Sequence, residues 1–255
     1  FMEYVSLGKT NLLVSRTAFG AMGLDEVENP EEASAMIQKA YSDGINFFDT
    51  SMDKPESEKR LGDAIAKFRE NVFIATKSAA HSSDELSEAI DNSFTNLKTD
   101  YVDLYQLERP NFLPSLGDSD GLLEKLLNLK ESGVVRHFGV VTESLEVANQ
   151  VIESDFPWET IQFPFNMLCD KSVEKLAEKC FEKNIGFIAM QPLCGGVLSN
   201  IPLALGFFLP FDNVVPVWGA RNMGELEQIL YFTQNPPRLD EQFYLEAEKI
   251  RAFFN

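Results

Sequence analysis

Eight times along the chain a short apolar run rich in β-branched and aromatic residues gives way to a longer segment of helical period, and this alternation narrows the fold more than any other feature. The runs are Thr17–Phe19, Ile45–Phe48, Val72–Ala75, Tyr101–Leu107, His137–Val141, Thr160–Phe163, Ile185–Met190 and Val214–Trp218. Strands separated by helices pair in parallel, because a crossover of that length returns the chain to the same edge in the same direction. Eight such units in 255 residues match a closed (β/α)8 TIM barrel of the α/β class. An open doubly wound sheet is the alternative, although no G-x-G-x-x-G follows any strand. No linker or composition shift divides the chain, so residues 1–255 are read as a single domain.

Caps and stripes mark the helices. Asn29-Pro30 precedes an apolar stripe of Ala33, Met36, Ile37, Ala40 and Tyr41 that stops at Gly44. Ser82-x-x-Glu85 has the form of a capping box ahead of Leu86, Ile90, Phe94 and Leu97. Val173, Leu176, Ala177, Cys180 and Phe181 form a further stripe, which makes Cys180 a core residue. The other helices centre on 58–68, 122–129, 145–152 and 225–232. Residues 3–15, with Gly8-Lys9-Thr10-Asn11 at their centre, read as an N-terminal β-hairpin covering the barrel bottom, and 240–254 as a C-terminal helix. The stretch from Pro192 to Pro210 is short for a full loop and helix.

Charge restricts the partners. Lys and Arg number 22 against 40 Asp and Glu, a net charge of −18 that repels phosphate backbones and anionic lipid. Nucleic acid and membrane are therefore excluded as expected partners, leaving a small-molecule substrate. No apolar run approaches the roughly 18 residues needed to span a bilayer, and the first residues lack the basic-then-apolar order of a signal peptide, so a cytoplasmic location is expected. Cys169, Cys180 and Cys194 are odd in number with no C-x-x-C spacing, and only His81 and His137 are present, so no disulfide framework or metal site is expected. Oligomeric state stays open, although Phe253-Phe254 suggests that the last helix packs on something.

A barrel of this kind concentrates chemistry at the C-terminal ends of its strands. Those positions hold Asp49, Lys77, Glu108-Arg109, Val141-Thr142, Gln162, Asn166, Gln191 and Arg221. A lone charge there reads as a rim salt bridge, whereas Asp49 and Lys77 end adjacent strands with opposite charges at one level and are expected to pair at the mouth. Glu108 and Lys54 are expected to face the same pocket, with Glu108 paired to either lysine.

At these residues the sequence resembles the aldo/keto reductase superfamily over nearly its whole length. The matching segments are Leu7 to Ser15, Phe19 to Met22, Gly44 to Thr50, Ser57-Glu58, Leu61-Gly62, Val72 to Lys77, Asp100 to Leu107, Val135 to Val140, Pro192 to Gly196 and Gly219 to Asn222. The resemblance implies the same barrel and NAD(P)H-dependent carbonyl reduction. In that family hydride passes to the carbonyl carbon while a tyrosine, tuned by a lysine paired to an aspartate, protonates the oxygen and a histidine orients the carbonyl. Asp49 and Lys77 match the aspartate and lysine. Lys54 stands at the tyrosine position, with Pro55 beside it, and Glu108 at the histidine position. A glutamate there also occurs in the steroid 5β-reductase branch, which reduces carbon–carbon double bonds but keeps its tyrosine.

For the cofactor, NADP(H) or NAD(H), the resemblance implies Gly20, Gln162, Gln191, Arg221 and Asn222, with Gln162 at the nicotinamide amide. Val141-Thr142 replace the usual Ser-Asn pair, and Gln228-Ile229 a Glu-Asn that usually holds adenine. Glu225 stands where Arg or Gln is common, and its charge opposes the 2′-phosphate of NADP. Three readings follow: a reductase acting on a small carbonyl or enone with Lys54 or Glu108 as proton donor, a binding or regulatory barrel without redox chemistry, and a lyase using Lys54 as a Schiff base.

Overall fold

The computed structural model describes residues 2–255. Strands β1 (Tyr4–Ser6) and β2 (Leu13–Ser15) form the antiparallel hairpin. Eight further strands close a barrel: β3 (Ala18–Gly20), β4 (Phe47–Asp49), β5 (Phe73–Ser78), β6 (Val102–Glu108), β7 (Val135–Val141), β8 (Thr160–Pro164), β9 (Gly186–Met190) and β10 (Val214–Gly219). Each pairs in parallel with its neighbour, and β10 returns to β3. Several strands begin a residue or two later than expected. Ile45, for example, still donates its N–H to Ala40 O at 2.9 Å, closing the preceding helix. Others run longer than their apolar runs: β5 continues through Thr76, Lys77 and Ser78, polar residues that remain on the barrel ladder.

The helices are α1 (Pro30–Ser42), α2 (Pro55–Ile65), α3 (Ser83–Leu97), α4 (Leu122–Glu131), α5 (Leu145–Glu153), α6 (Lys171–Glu182), α7 (Ile201–Gly206), α8 (Met223–Gln234) and α9 (Glu241–Phe254). Side-chain oxygens of Asn29, Ser82, Asn222 and Asp240 accept from the first turns of α1, α3, α8 and α9, supplying acceptors for N–H groups that a helix cannot satisfy itself. Glu85 does not complete the capping box, because its carboxylate accepts from His81 N, one residue further out, at 2.6 Å. The short stretch after β9 holds a 3-10 turn at Cys194–Gly196 and the six-residue α7.

Alternation along the strands makes two cores. Ala18, Phe47, Ala75, Leu104, Ile188, Val215 and Val217 fill the barrel interior, where Leu7 and Val14 of the hairpin segment join them. The hairpin turn sits at the foot of β9, with Lys9 N donating to Asn184 O at 2.9 Å. Gly8 has φ +53 there, and a Cβ on it would stand 2.2 Å from Gly186 N, so only glycine allows this contact. Phe19, Phe48, Ile74, Tyr105, Phe138, Ile161, Phe187 and Trp218 belong to the outer core between barrel and helices. Cys180 is fully buried in it. Helix α9 packs through Phe243 and Ala247, while Phe253 at its end is 81% exposed. Among the described residues no helix is long and apolar enough to cross a membrane, and no cluster of His, Cys, Asp and Glu has the makings of a metal site.

Candidate functional site at the barrel mouth

Asp49 ends β4 with its carboxylate fully buried, an arrangement that is tolerable only if hydrogen bonds replace water. Three donors supply them. Lys77 Nζ lies 2.7 Å from Oδ2, Gln162 Nε2 3.2 Å from the same oxygen, and Gln106 Nε2 3.0 Å from Oδ1. Lys77 also donates to Thr50 O at 2.8 Å and is 5% exposed. The register explains the convergence: Asp49 pairs with Ala75, two residues before Lys77, and Lys77 pairs with Gln106. Gln106 escaped the sequence reading, although an amide interrupting the apolar run of β6, two residues before Glu108 and so on the same face, was a usable signal.

Glu108 ends β6 half-buried. Among the described residues its carboxyl group makes no ion pair and no side-chain hydrogen bond, so the expected pairing with a lysine is not formed. Lys77 is committed to Asp49 and Thr50 O, while Lys54 reaches Asp25, Nζ to Oδ2 3.6 Å, with its side chain half-exposed. Burial raises the Glu108 pKa above the usual carboxylate range; Lys77 opposes this, and the carboxylates of Asp53 and Asp49 reinforce it. Asp53, on the exposed loop after β4, is thus a further charge at the mouth that the sequence reading passed over.

The remaining candidates sort by where they stand. Arg109, adjacent to Glu108, is buried and donates to Ala80 O and to Glu108 O. Tyr105 is fully buried among the outer core residues, its hydroxyl 2.6 Å from Ser78 Oγ, and burial pushes its phenol far above the ordinary range, so it is no proton donor for the mouth. His137 lies toward the start of β7, Nδ1 2.5 Å from Glu159 Oε2. A Schiff base calls for a desolvated, unpaired lysine. Lys54 is half-exposed and ion-paired, and Lys77 holds Asp49, so neither offers that chemistry.

Of the five residues expected at the cofactor, Gly20 and Gln162 lie buried on barrel strands, while Gln191, Arg221 and Asn222 lie exposed on the loops after β9 and β10. Gln162 Oε1 is buried without a hydrogen-bond partner, an acceptor suited to the N–H of a nicotinamide amide. At the other end the fit is poorer. Arg221 Nε and a terminal nitrogen lie 2.8 and 2.7 Å from Glu225 Oε1, and Arg221 N donates to Oε2 at 2.9 Å. Burial opposes ionisation of Glu225, but Arg221 overrides it and holds the Glu225 pKa below the usual range. Asn222 is spent on capping α8, accepting from Glu225 N at 2.9 Å.

The Aldo/keto reductase family model matches residues 16–201. The uncharacterized oxidoreductase YqkF of Bacillus subtilis is 30% identical over 217 residues, which span 79% of this chain and 68% of that protein. An aldo-keto reductase of Bacillus halodurans in its holo form superposes with a TM-score of 0.83 at 22% identity, covering 98% of this chain and 96% of that one. One from Klebsiella pneumoniae, solved with NADP and acetate, gives 0.82 at 18% identity and the same coverage. At those identities the two structures speak to the barrel.

Proposed function

This chain belongs to the aldo/keto reductase family, and we propose that within it the protein is an NAD(P)H-dependent reductase of a small carbonyl or enone compound whose proton donor is Glu108. The observation that carries the reading is the arrangement at the mouth: Lys77 closed on Asp49 at 2.7 Å, beside a half-buried Glu108 that has no ion-pair partner among the described residues.

Reduction places negative charge on the substrate oxygen, which calls for a positive field and a nearby acid. Lys77 supplies the field. Asp49 and the amides of Gln106 and Gln162 fix its position, and its donors to Asp49 and Thr50 O hold the ammonium at the top of the barrel interior. Glu108 supplies the proton, because burial keeps its carboxyl protonated to a higher pH than an exposed glutamate. NAD(P)H, when bound, supplies the hydride. Gln162 and Gly20 would hold its nicotinamide end, and Gln191, Arg221 and Asn222 the remainder. With Glu225 already on Arg221, a 2′-phosphate gains little there, so NADPH and NADH bind with similar affinity.

A barrel kept for binding alone gains nothing from a buried ion pair, which on balance contributes little to stability. Nicotinamide fluorescence titration with NADPH and NADH, followed by single-turnover hydride transfer to an enone and an aldehyde, tests the proposal. Absence of binding overturns the reductase reading. Transfer that survives Glu108→Gln undiminished overturns the role of Glu108.

A further inference from the structure

Strands β8 and β9 leave the barrel side by side, in register through Pro164 and Met190. The loops beyond them stay joined: Phe165 N donates to Met190 O at 3.1 Å and Asn166 Nδ2 to Gln191 O at 3.0 Å. From each of those two residues the loop closes a turn with a hydrogen bond from the residue three further on. Cys169 N donates to Asn166 O at 3.1 Å, and Cys194 N to Gln191 O at 2.9 Å. The two cysteines therefore occupy corresponding positions on adjacent turns whose roots are hydrogen-bonded to each other.

Both thiols are half-buried. Cys194 is held at φ +52 and Gln191 at φ +57, a region that L side chains rarely adopt, so this loop is constrained in shape before any bond forms. Cys180 supplies the contrast, fully buried on α6 with its thiol pushed up to about 12.

We propose that Cys169 and Cys194 form a reversible intramolecular disulfide that ties the loop after β8 to the loop after β9 at the barrel mouth. The oxidant is hydrogen peroxide. The Cys194 thiol gives up its proton and attacks one peroxide oxygen, the O–O bond breaks, the other oxygen leaves as water with that proton, and a sulfenic acid remains. Cys169 sulfur then attacks Cys194 sulfur, and the sulfenic hydroxyl departs as a second water with the Cys169 proton. Two thiols have lost two electrons to the peroxide, and a small dithiol reverses the reaction. Cys169 is the resolving partner, since burial raises its pKa. The bond would fix the loop that begins at Gln191. Its effect on cofactor binding rests on the reductase reading, whereas its formation does not.

The three cysteines fall in different tryptic peptides, 137–171, 180–183 and 184–221, which makes the test direct. The native protein is treated with a small excess of hydrogen peroxide, alkylated and digested without reductant. Peptide 137–171 joined to 184–221 is expected, with one alkylatable thiol per unfolded chain where the reduced protein has three. Dithiothreitol should reverse it, and Cys194→Ser should abolish it. Intact thiols, a sulfinic acid at Cys194 without a cross-link, or linkage only between chains overturns the switch. NADPH titration of the reduced and oxidised forms then addresses the gate. An unchanged affinity on linking overturns gating, and a reduced form that binds no cofactor overturns the reductase reading while the linked peptide still decides the disulfide.

Discussion

Gln106 Nε2 stands 3.0 Å from Asp49 Oδ1, on the carboxylate oxygen that Lys77 leaves free. Asp49 thus keeps two amide donors if Lys77 is removed, but it loses the cation paired with it. Lys77→Met should therefore destabilise the protein by about 3–5 kcal/mol in urea unfolding at neutral pH, as expected for an uncompensated buried charge. Asp49→Asn combined with Lys77→Met should recover most of the loss, since no charge is then left behind. A loss below about 1 kcal/mol, the range of exposed pairs, would show that water reaches this carboxylate.

Glu108 predicts a pH dependence with a definite sign. Its folded pKa is raised by burial, so the protonated acid persists above the pH at which an exposed glutamate would ionise. Single-turnover reduction should be full below the folded pKa and fall as pH rises through it. Stability contributed by the neutral carboxyl should decline over the window from the unfolded value up to that folded value. Glu108→Gln should remove this part of the stability profile and cost about a hundred- to ten-thousand-fold in hydride transfer. A rate that climbs with pH would identify a base, not an acid, at this step.

The barrel was legible in the sequence because each strand carries its own apolar signature and each helix its cap: Asn29 and Ser82 accept the hydrogen bonds that their positions implied. The meeting of Asp49 with Lys77 was legible as well, because adjacent parallel strands set their register. The cage around Asp49 was not. It depends on Gln106 and Gln162 reaching across the interior from strands that are not neighbours of β4, and no local pattern records such distances. Lys54 shows the same limit, since its partner Asp25 lies in a turn after β3 that the strand-end reading did not consider.

Arg221 and Glu225 hold one another at the start of α8, so releasing the arginine should change cofactor preference. Glu225→Gln keeps an acceptor for Arg221 N and removes the competing charge. Affinity for NADPH should rise about tenfold, the value of one charge-assisted hydrogen bond to phosphate, with NADH nearly unchanged. Parallel fluorescence titrations measure both. An equal gain for the two cofactors would place Arg221 away from the 2′-phosphate.

Simple aldehydes provide the sharpest prediction, because they depend on a well-placed donor and on little else. In this chain the ammonium of Lys54 is turned to Asp25, and the remaining acid, Glu108, delivers a proton only in the fraction of molecules that keep it. A phenol tuned by the neighbouring lysine keeps its proton throughout the neutral range, which a carboxyl group does not. Turnover of simple aldehydes with NADPH at neutral pH should accordingly be slow. General acid catalysis contributes about a hundred- to ten-thousand-fold, so Lys54→Tyr combined with Glu108→His should raise the rate by about a hundredfold or more. The Asp49–Lys77 pair is already in place to tune the new phenol. Fast wild-type turnover would mean that Glu108 is a fully competent donor at neutral pH. No gain in the double variant, with cofactor binding verified by fluorescence, would mean that the pocket above Lys77 is shaped for something other than an aldehyde, and an enone series would then be the next substrates to measure.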